Sequence, residues 1–250
     1  MMRAMVLAAG LGTRLRPWTL NHPKALVPVA GIPMLEHILS KLENEGFDRI
    51  VVNIHHFGDQ IINFLNHRKN KADICISDER NQLLDTGGGI LKADIIQGCH
   101  EPLLIHNTDI LSNAPLRELV DAHVNAKSDA TLLTSSRNST RKLIFNNNGE
   151  LYGWMNYSNG DTRPSGICYN PGVMTQEAFS GIYILSSSAI QKMREWAVKA
   201  SFPIMDFFLD NCREMHFRHF FLPSLRLLDI GKPDALSQAD DFLHSIDHSR

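Results

Sequence analysis

The chain alternates between two hydrophobic periods, and that alternation restricts its fold more than any other feature. Residues 4–9 form a continuous apolar run, the pattern of a strand buried on both faces. Residues 33–45 place Leu35, Ile38, Leu39 and Leu42 at helical spacing, with Pro33 at the start and Gly46 just past the end. Strand-like runs recur at 49–54, 73–77, 102–106 and 130–134, and helical spacing fills 59–67, 89–96 and 116–126 between them. Strands separated by helices pair in parallel through right-handed crossovers. The expected fold is α/β: a mostly parallel, Rossmann-like sheet with helices on both faces.

The pattern changes after about residue 140. Residues 141–154 read as a hairpin around Asn146-Asn147-Asn148-Gly149, and 156–172 as a polar loop. Residues 178–185 read as a strand, 187–199 and 204–211 as helices, 216–222 and 226–230 as short strands, and 233–245 as a closing helix. No repeat, low-complexity tract or linker appears. A single domain over 1–250 is expected, with a small β-rich insertion in its second half.

With 250 residues, 43% of them hydrophobic, the chain can bury a core without disulfides or a structural metal. A net charge of -2 gives no global attraction to nucleic acid or an anionic membrane, so neither is an expected partner. Cys75, Cys99, Cys168 and Cys212 contain no C-x-x-C pair and read as reduced, partly buried thiols. His55 and His56 are adjacent on a strand and point to opposite faces, so they do not share an ion. No apolar run approaches the roughly 18 residues that span a bilayer. The apolar N-terminal run lacks a small-residue cleavage site and reads as a first strand, and the expected compartment is the cytoplasm.

The strongest chemical signal is Leu7-Ala8-Ala9-Gly10-Leu11-Gly12-Thr13-Arg14-Leu15-Arg16-Pro17, followed by Pro23-Lys24-Ala25-Leu26-Val27-Pro28-Val29. A strand runs into a glycine-bearing loop whose N–H groups can cradle phosphate oxygens. Arg14 offers a fork for phosphate and Lys24 a compact charge. The loop is neither a dinucleotide fingerprint, which needs a third glycine, nor a Walker A loop, which needs Gly-Lys-Ser/Thr. Asp109 and Asp229 each follow an apolar strand and are candidate Mg²⁺ ligands, since Mg²⁺ prefers one or two carboxylates completed by substrate phosphates. Thr86-Gly87-Gly88-Gly89 opens a helix, where small residues and free N–H groups can accept a base or phosphate. Trp154 and Tyr157 fit either a sugar pocket or ordinary packing.

Residues 7–29 resemble, without a gap, the signature of the sugar-1-phosphate nucleotidyltransferases. The likeness continues through Asp85-Thr86-Gly87-Gly88-Gly89, Asn107-Thr108-Asp109, Phe179-Ser180-Gly181-Ile182 and Leu228-Asp229-Ile230-Gly231-Lys232-Pro233. It departs from that pattern at Thr108, where the family carries Gly, and at Leu227, where it carries Trp. The family's usual Val-Glu-Lys-Pro is missing, and Gly153-Trp154-Met155-Asn156 occupies that region. The resemblance implies a nucleoside triphosphate and a sugar 1-phosphate as partners, Mg²⁺ on Asp109 and Asp229, and catalytic roles for Arg14 and Lys24. It implies nucleotide contacts from Leu7, Ala8, Ala9, Gly10, Gly12, Thr13, Arg14, Thr86, Gly87 and Gly88. It implies sugar-phosphate contacts from Lys24, Asn107, Ser180 and Gly181. Residues 1–140 are then the nucleotide-binding half, and 141–250 the half that binds sugar and completes the metal site.

Within the family the chain is most similar to short uridylyltransferases acting on N-acetylmuramate 1-phosphate in cell-wall recycling. UTP is the expected nucleotide, in a monomer or small homo-oligomer. A mannose-1-phosphate guanylyltransferase and a non-catalytic nucleotide-sugar sensor are the alternatives.

Overall fold

The computed structural model describes residues 2–98, 101–231 and 233–247; Cys99, and Lys232 of the Leu228-to-Pro233 motif, lie outside these. The first half runs β1 (Arg3–Leu7), β2 (Pro28–Val29), β3 (Ile32–Pro33), α1 (Met34–Asn44), β4 (Arg49–Ile54), α2 (Gly58–His67), β5 (Asp73–Asp78), α3 (Asp85–Gln97), β6 (Leu103–Asn107), β7 (Ile110–Ser112), α4 (Leu116–Ala126) and β8 (Ala130–Ser135). The second half runs β9 (Arg141–Asn146), β10 (Leu151–Asn156), β11 (Thr162–Arg163), β12 (Met174–Leu185), α5 (Ser187–Trp196), α6 (Ile204–Asn211), β13 (Phe217–Phe221), β14 (Leu227–Asp229), a 3₁₀ turn (Pro233–Gln238) and α7 (Ala239–Asp247).

The main sheet is mostly parallel where the sequence alternates between strand and helix. Its order is β11-β10-β9-β12-β6-β1-β4-β5, with β8 on β12 and β13 on β8. β6, β1, β4 and β5 are mutually parallel, and β13 joins β8 in parallel. The 12-residue β12 runs antiparallel to β6, β8 and β9 and carries the sheet into the hairpin β9–β10.

Alternation along each parallel strand explains the two apolar layers. Ala4 and Val6 of β1 face one layer with Leu35, Leu39, Ile61 and Leu116 from α1, α2 and α4. Met5 faces the other, with Ile90, Met193 and Phe207 from α3, α5 and α6. Both sheet faces are covered, as the unbroken apolar strands require.

Among the elements that differ from the sequence expectation, which include the unforeseen short strands β2, β3 and β7 and the earlier start of β12, three matter most. First, α3 begins at Asp85 rather than Gly89, so the three glycines sit in its first turn. Their smallness answers to packing: a Cβ at Gly87 would overlap the Phe202 ring, and one at Gly88 the Ala200 carbonyl. Hydrogen bonds seal the contact, from Gly87 N to Phe202 O (2.9 Å) and from Ile204 N to Thr86 Oγ1 (2.8 Å). Second, the loop expected over 156–172 contains β11, with Arg163 opposite Trp154. Third, the closing helix is split between the 3₁₀ turn and α7. Cys212 is buried and Cys75 half-buried, whereas Cys168 is exposed on the loop.

Gly88→Ala drives a methyl into backbone, which cannot move cheaply. It is expected to cost about 1–3 kcal/mol or more, while Gly10→Ala, with no heavy atom near its Cβ position, stays within ~0.5 kcal/mol. Urea unfolding of both variants checks this. Acid sensitivity follows from two imidazoles: burial pushes both His106 and His123 down to about 4. An unfolded imidazole titrates near 6.5. The unfolded chain therefore binds protons that the folded chain refuses, and stability falls as pH drops from about 6.5 towards 4. Unfolding midpoints at pH 7, 6 and 5 should decline, and His123→Gln should shrink the decline.

Candidate active site

The parallel strands end together on one side of the sheet. Leu7 is in register with Asn53 on one side and Asn107 on the other, so two amides flank the end of β1. Ligand sites of open α/β sheets lie beyond such carboxyl ends. Asn53 Oδ1 accepts from Ala8 N (2.7 Å), and its Nδ2 donates to buried Glu79 Oε1 (2.8 Å). The other Glu79 oxygen accepts from Leu84 N (3.1 Å), which fixes the approach to α3. A cleft of about 390 Å³ opens here, lined by Leu7, Ala9, Gly10, Lys24, Thr86 and Asp109 among others. Asp85, at φ +57, is exposed beside it.

Gly12 folds the phosphate-type loop onto Lys24. It takes φ +63, and a Cβ there would lie 2.8 Å from Lys24 Cβ and 2.9 Å from Thr19 Cγ2. Thr19 Oγ1 ties the turn by donating to Gly12 O (2.9 Å). Thr13 and Arg14 follow in a 3₁₀ turn, Thr13–Leu15, and are exposed. Lys24 Nζ donates to Asp109 Oδ2 in a close ion pair.

The second acidic residue arrives from the far end of the chain. β14 pairs antiparallel with β7, setting Asp229 opposite Ile110, and Ile230 N donates to Asp109 O (2.9 Å). Between them sits Gly231. A Cβ on it would stand 2.7 Å from Arg14 Nη2, 2.8 Å from Asp109 Oδ2 and 2.9 Å from Asp229 Oδ1. The guanidinium and both carboxylates thus converge on one point, and Lys24 touches it through Asp109. Among the described residues no three His, Cys, Asp or Glu side chains gather into a metal cage. Two carboxylates at one point suit a hard cation that takes its remaining ligands from phosphate and water.

Asp229 also borders a second cleft, of about 520 Å³, with Arg137, Arg141, Trp154, Arg163 and Phe179. Burial pushes the Arg137 guanidinium down from its ordinary value, and the nearby Asp229 carboxylate pulls it back up. The hairpin β9–β10 builds this wall, with Leu143 opposite Trp154. Asp109 of the first cleft and Asp229 of the second thus converge at the Gly231 point.

The sequence-predicted residues divide accordingly. Leu7, Ala9, Gly10, Lys24, Thr86, Asn107 and Asp109 line the first cleft, and Asp229 the second. Ala8, Gly87 and Gly88 are buried behind the surface. Ser180 and Gly181 form a bulge in β12: Ser180 Oγ accepts from Ile182 N (3.1 Å). Gly181, at φ +80, leaves room for Asn107, whose Nδ2 would be 2.5 Å from any Cβ. Gly181 therefore backs Asn107, and Ser180 holds the bulge. Trp154 lines the second cleft, whereas Tyr157 is exposed outside it. Sequence reasoning missed Asn53, which a polar residue near the end of an apolar strand could have signalled. It also missed Arg137 and Arg141, which no motif marks.

The chain belongs to the nucleotidyl transferase family, whose model matches residues 3–246. It is 40% identical over 156 residues to the N-acetylmuramate alpha-1-phosphate uridylyltransferase of Caulobacter vibrioides, a match spanning 60% of this chain and 63% of that protein. It is 29% identical over 196 residues to mannose-1-phosphate guanylyltransferase 1 of Arabidopsis thaliana, spanning 77% of this chain and 52% of that protein. The matches therefore cover less than two thirds of either relative. Its fold is shared with HddC from Yersinia pseudotuberculosis, crystallised with GMP-PN, at a TM-score of 0.75 and 22% identity over 97% of this chain and all of that one.

Gly231→Ala should disarrange Arg14, Asp109 and Asp229 without straining the backbone. Turnover in the reaction proposed below is expected to fall about 100-fold, the cost typical of displaced reacting groups. The melting temperature should stay close to that of the parent, and pyrophosphate release with thermal melts checks both.

Proposed function

We propose that this chain transfers a nucleotidyl group from UTP to a sugar 1-phosphate, N-acetylmuramate 1-phosphate, and releases pyrophosphate. The observation that carries the proposal is the convergence at Gly231 of one carboxylate from each of two clefts, with Arg14 between them. Residues 1–140 supply nearly all of the nucleotide cleft, while 141–250 supply most of the sugar cleft, with Arg137 added from the first half, and the second carboxylate. The 40% identity to a named uridylyltransferase supports the choice of UTP and of the muramate sugar.

The nucleophile is an oxygen of the sugar phosphate. Its second pKa is near 6, so it is ionised at neutral pH and needs no general base. It attacks the α-phosphorus in line, and pyrophosphate leaves. Catalysis is then positioning and charge stabilisation. Arg14 stabilises charge on the leaving pyrophosphate, and Lys24 holds Asp109 beside the reacting phosphates. Asp109 and Asp229 fit Mg²⁺, which would supply further neutralisation of phosphate charge when bound. We assign the enzyme to cell-wall recycling in the cytoplasm, as a monomer or small homo-oligomer. Among the described residues no helix is long and apolar enough to cross a membrane.

A guanylyltransferase reading is favoured by one feature, the exposed Asp85 carboxylate beside the nucleotide cleft, which could accept from guanine's exocyclic amine. Competition between UTP and GTP, scored by the nucleotide-sugar formed, decides between them; UTP is expected to win. Asp109→Ala and Asp229→Ala should each abolish pyrophosphate release while circular dichroism stays unchanged. Near-parental turnover in both would overturn the assignment of the carboxylates.

A further inference from the structure

The second cleft holds more positive charge than the chain neutralises. Arg163 is committed to the wall, donating to Asp206 (2.5 Å) and Asp210 (2.9 Å). Arg137 and Arg141 are not held this way. Arg137 gives one nitrogen to Phe179 O (2.8 Å), while its buried Nε has no partner among the described residues. The carboxylate acting on Arg137 is Asp229, which the proposed reaction assigns to the metal. Arg141 is exposed, and among the described residues its guanidinium has no partner. In the proposed reaction the phosphate of the sugar 1-phosphate lies beside Lys24 and Asp109 at the Gly231 point, and Arg14 serves the leaving pyrophosphate. Two guanidinium groups therefore remain for the rest of the sugar.

Their placement suits a ring substituent. Arg141 and Leu143 alternate along β9 and so share a face, and Leu143 lies opposite Trp154. A ring resting on Trp154 has Arg141 about 7 Å further along the strand. An exposed, unpaired guanidinium at the edge of an apolar wall is a carboxylate receptor in form, since its planar fork donates to both oxygens. We infer that Arg141, supported by Arg137, reads a carboxylate carried on the sugar ring, so that this cleft selects acidic sugar 1-phosphates over neutral ones.

The inference rests on the reaction proposed above, and the test separates the two. N-acetylmuramate 1-phosphate and N-acetylglucosamine 1-phosphate differ by the acid-bearing ether alone. With UTP and Mg²⁺, the ratio of kcat/KM for the acidic over the neutral sugar should exceed ten in the parent enzyme. It should fall about 10- to 100-fold in Arg141→Gln, the range for losing a charge-assisted hydrogen bond. The loss should appear in KM, because the contact is the same in ground and transition states. Arg141→Lys, which keeps the charge without the fork, should recover part of it. Calorimetric titration of each sugar phosphate into the parent and Arg141→Gln repeats the comparison without turnover. Absence of turnover with either sugar would sink the proposed reaction, and the titration would still judge the carboxylate reading. A ratio that holds within twofold in Arg141→Gln, or parent protein that binds both sugars equally, would overturn that reading.

Discussion

Two carboxylates that point at one place repel each other, and the rest of this site is arranged around that cost. Asp109 and Asp229 both come within 2.9 Å of the position a Gly231 side chain would take. In a partly desolvated setting such a pair is unfavourable unless cations stand beside it. The molecule supplies them from its own chain: Lys24 on Asp109, Arg14 at the shared point, and Arg137 within reach of Asp229. Each arrives on a different segment, so with the two carboxylates the backbone must bring five stretches together at close range. Gly12 and Gly231 allow that approach, because a side chain at either would occupy the space the charged groups need.

Much of the framework was legible because its periodic signals were long and uninterrupted. The strand Arg49–Ile54 and the helices Leu116–Ala126 and Ile204–Asn211 have the bounds that their patterns predict. The exact start of α3 was not legible, because consecutive glycines carry no apolar spacing and are poor helix formers, so the pattern placed them at its opening rather than inside it. Only the neighbouring Phe202 and Ala200, far away in sequence, explain why a helix carries them. Tertiary packing overrides propensity there. Among the site residues, Arg14, Lys24, Asp109 and Asp229 stood out because each lies in a recognisable motif or at a strand end. Arg137 and Arg141 did not, since their importance depends on how the hairpin β9–β10 folds against Phe179, and no local pattern encodes that.

Several small residues in the matching motifs carry structure that a ligand-centred reading credits to binding. Gly181 makes space for Asn107, and Ser180 satisfies the amide of Ile182 at the bulge. Gly87 and Gly88 join α3 to the segment before α6. Each of these residues positions a neighbour by direct contact. Substituting them would therefore move binding and stability together, whereas changes at exposed Arg14 would separate the two.

The pairing of β14 with β7 has a consequence for the order in which the molecule is made. β7 and Asp109 are translated early, but their partner strand ends at Asp229, close to the end of the described chain. A ribosome that has exposed the chain only as far as Phe221 presents Arg14, Lys24 and Asp109 without the second carboxylate. All the residues that line the cleft beyond β1 are in place in the sequence at that stage, yet the carboxylate pair waits for the final strand. Synthesis thus acts as a timer: the growing chain holds every residue of the cleft beyond β1 well before it holds the second of the two converging carboxylates.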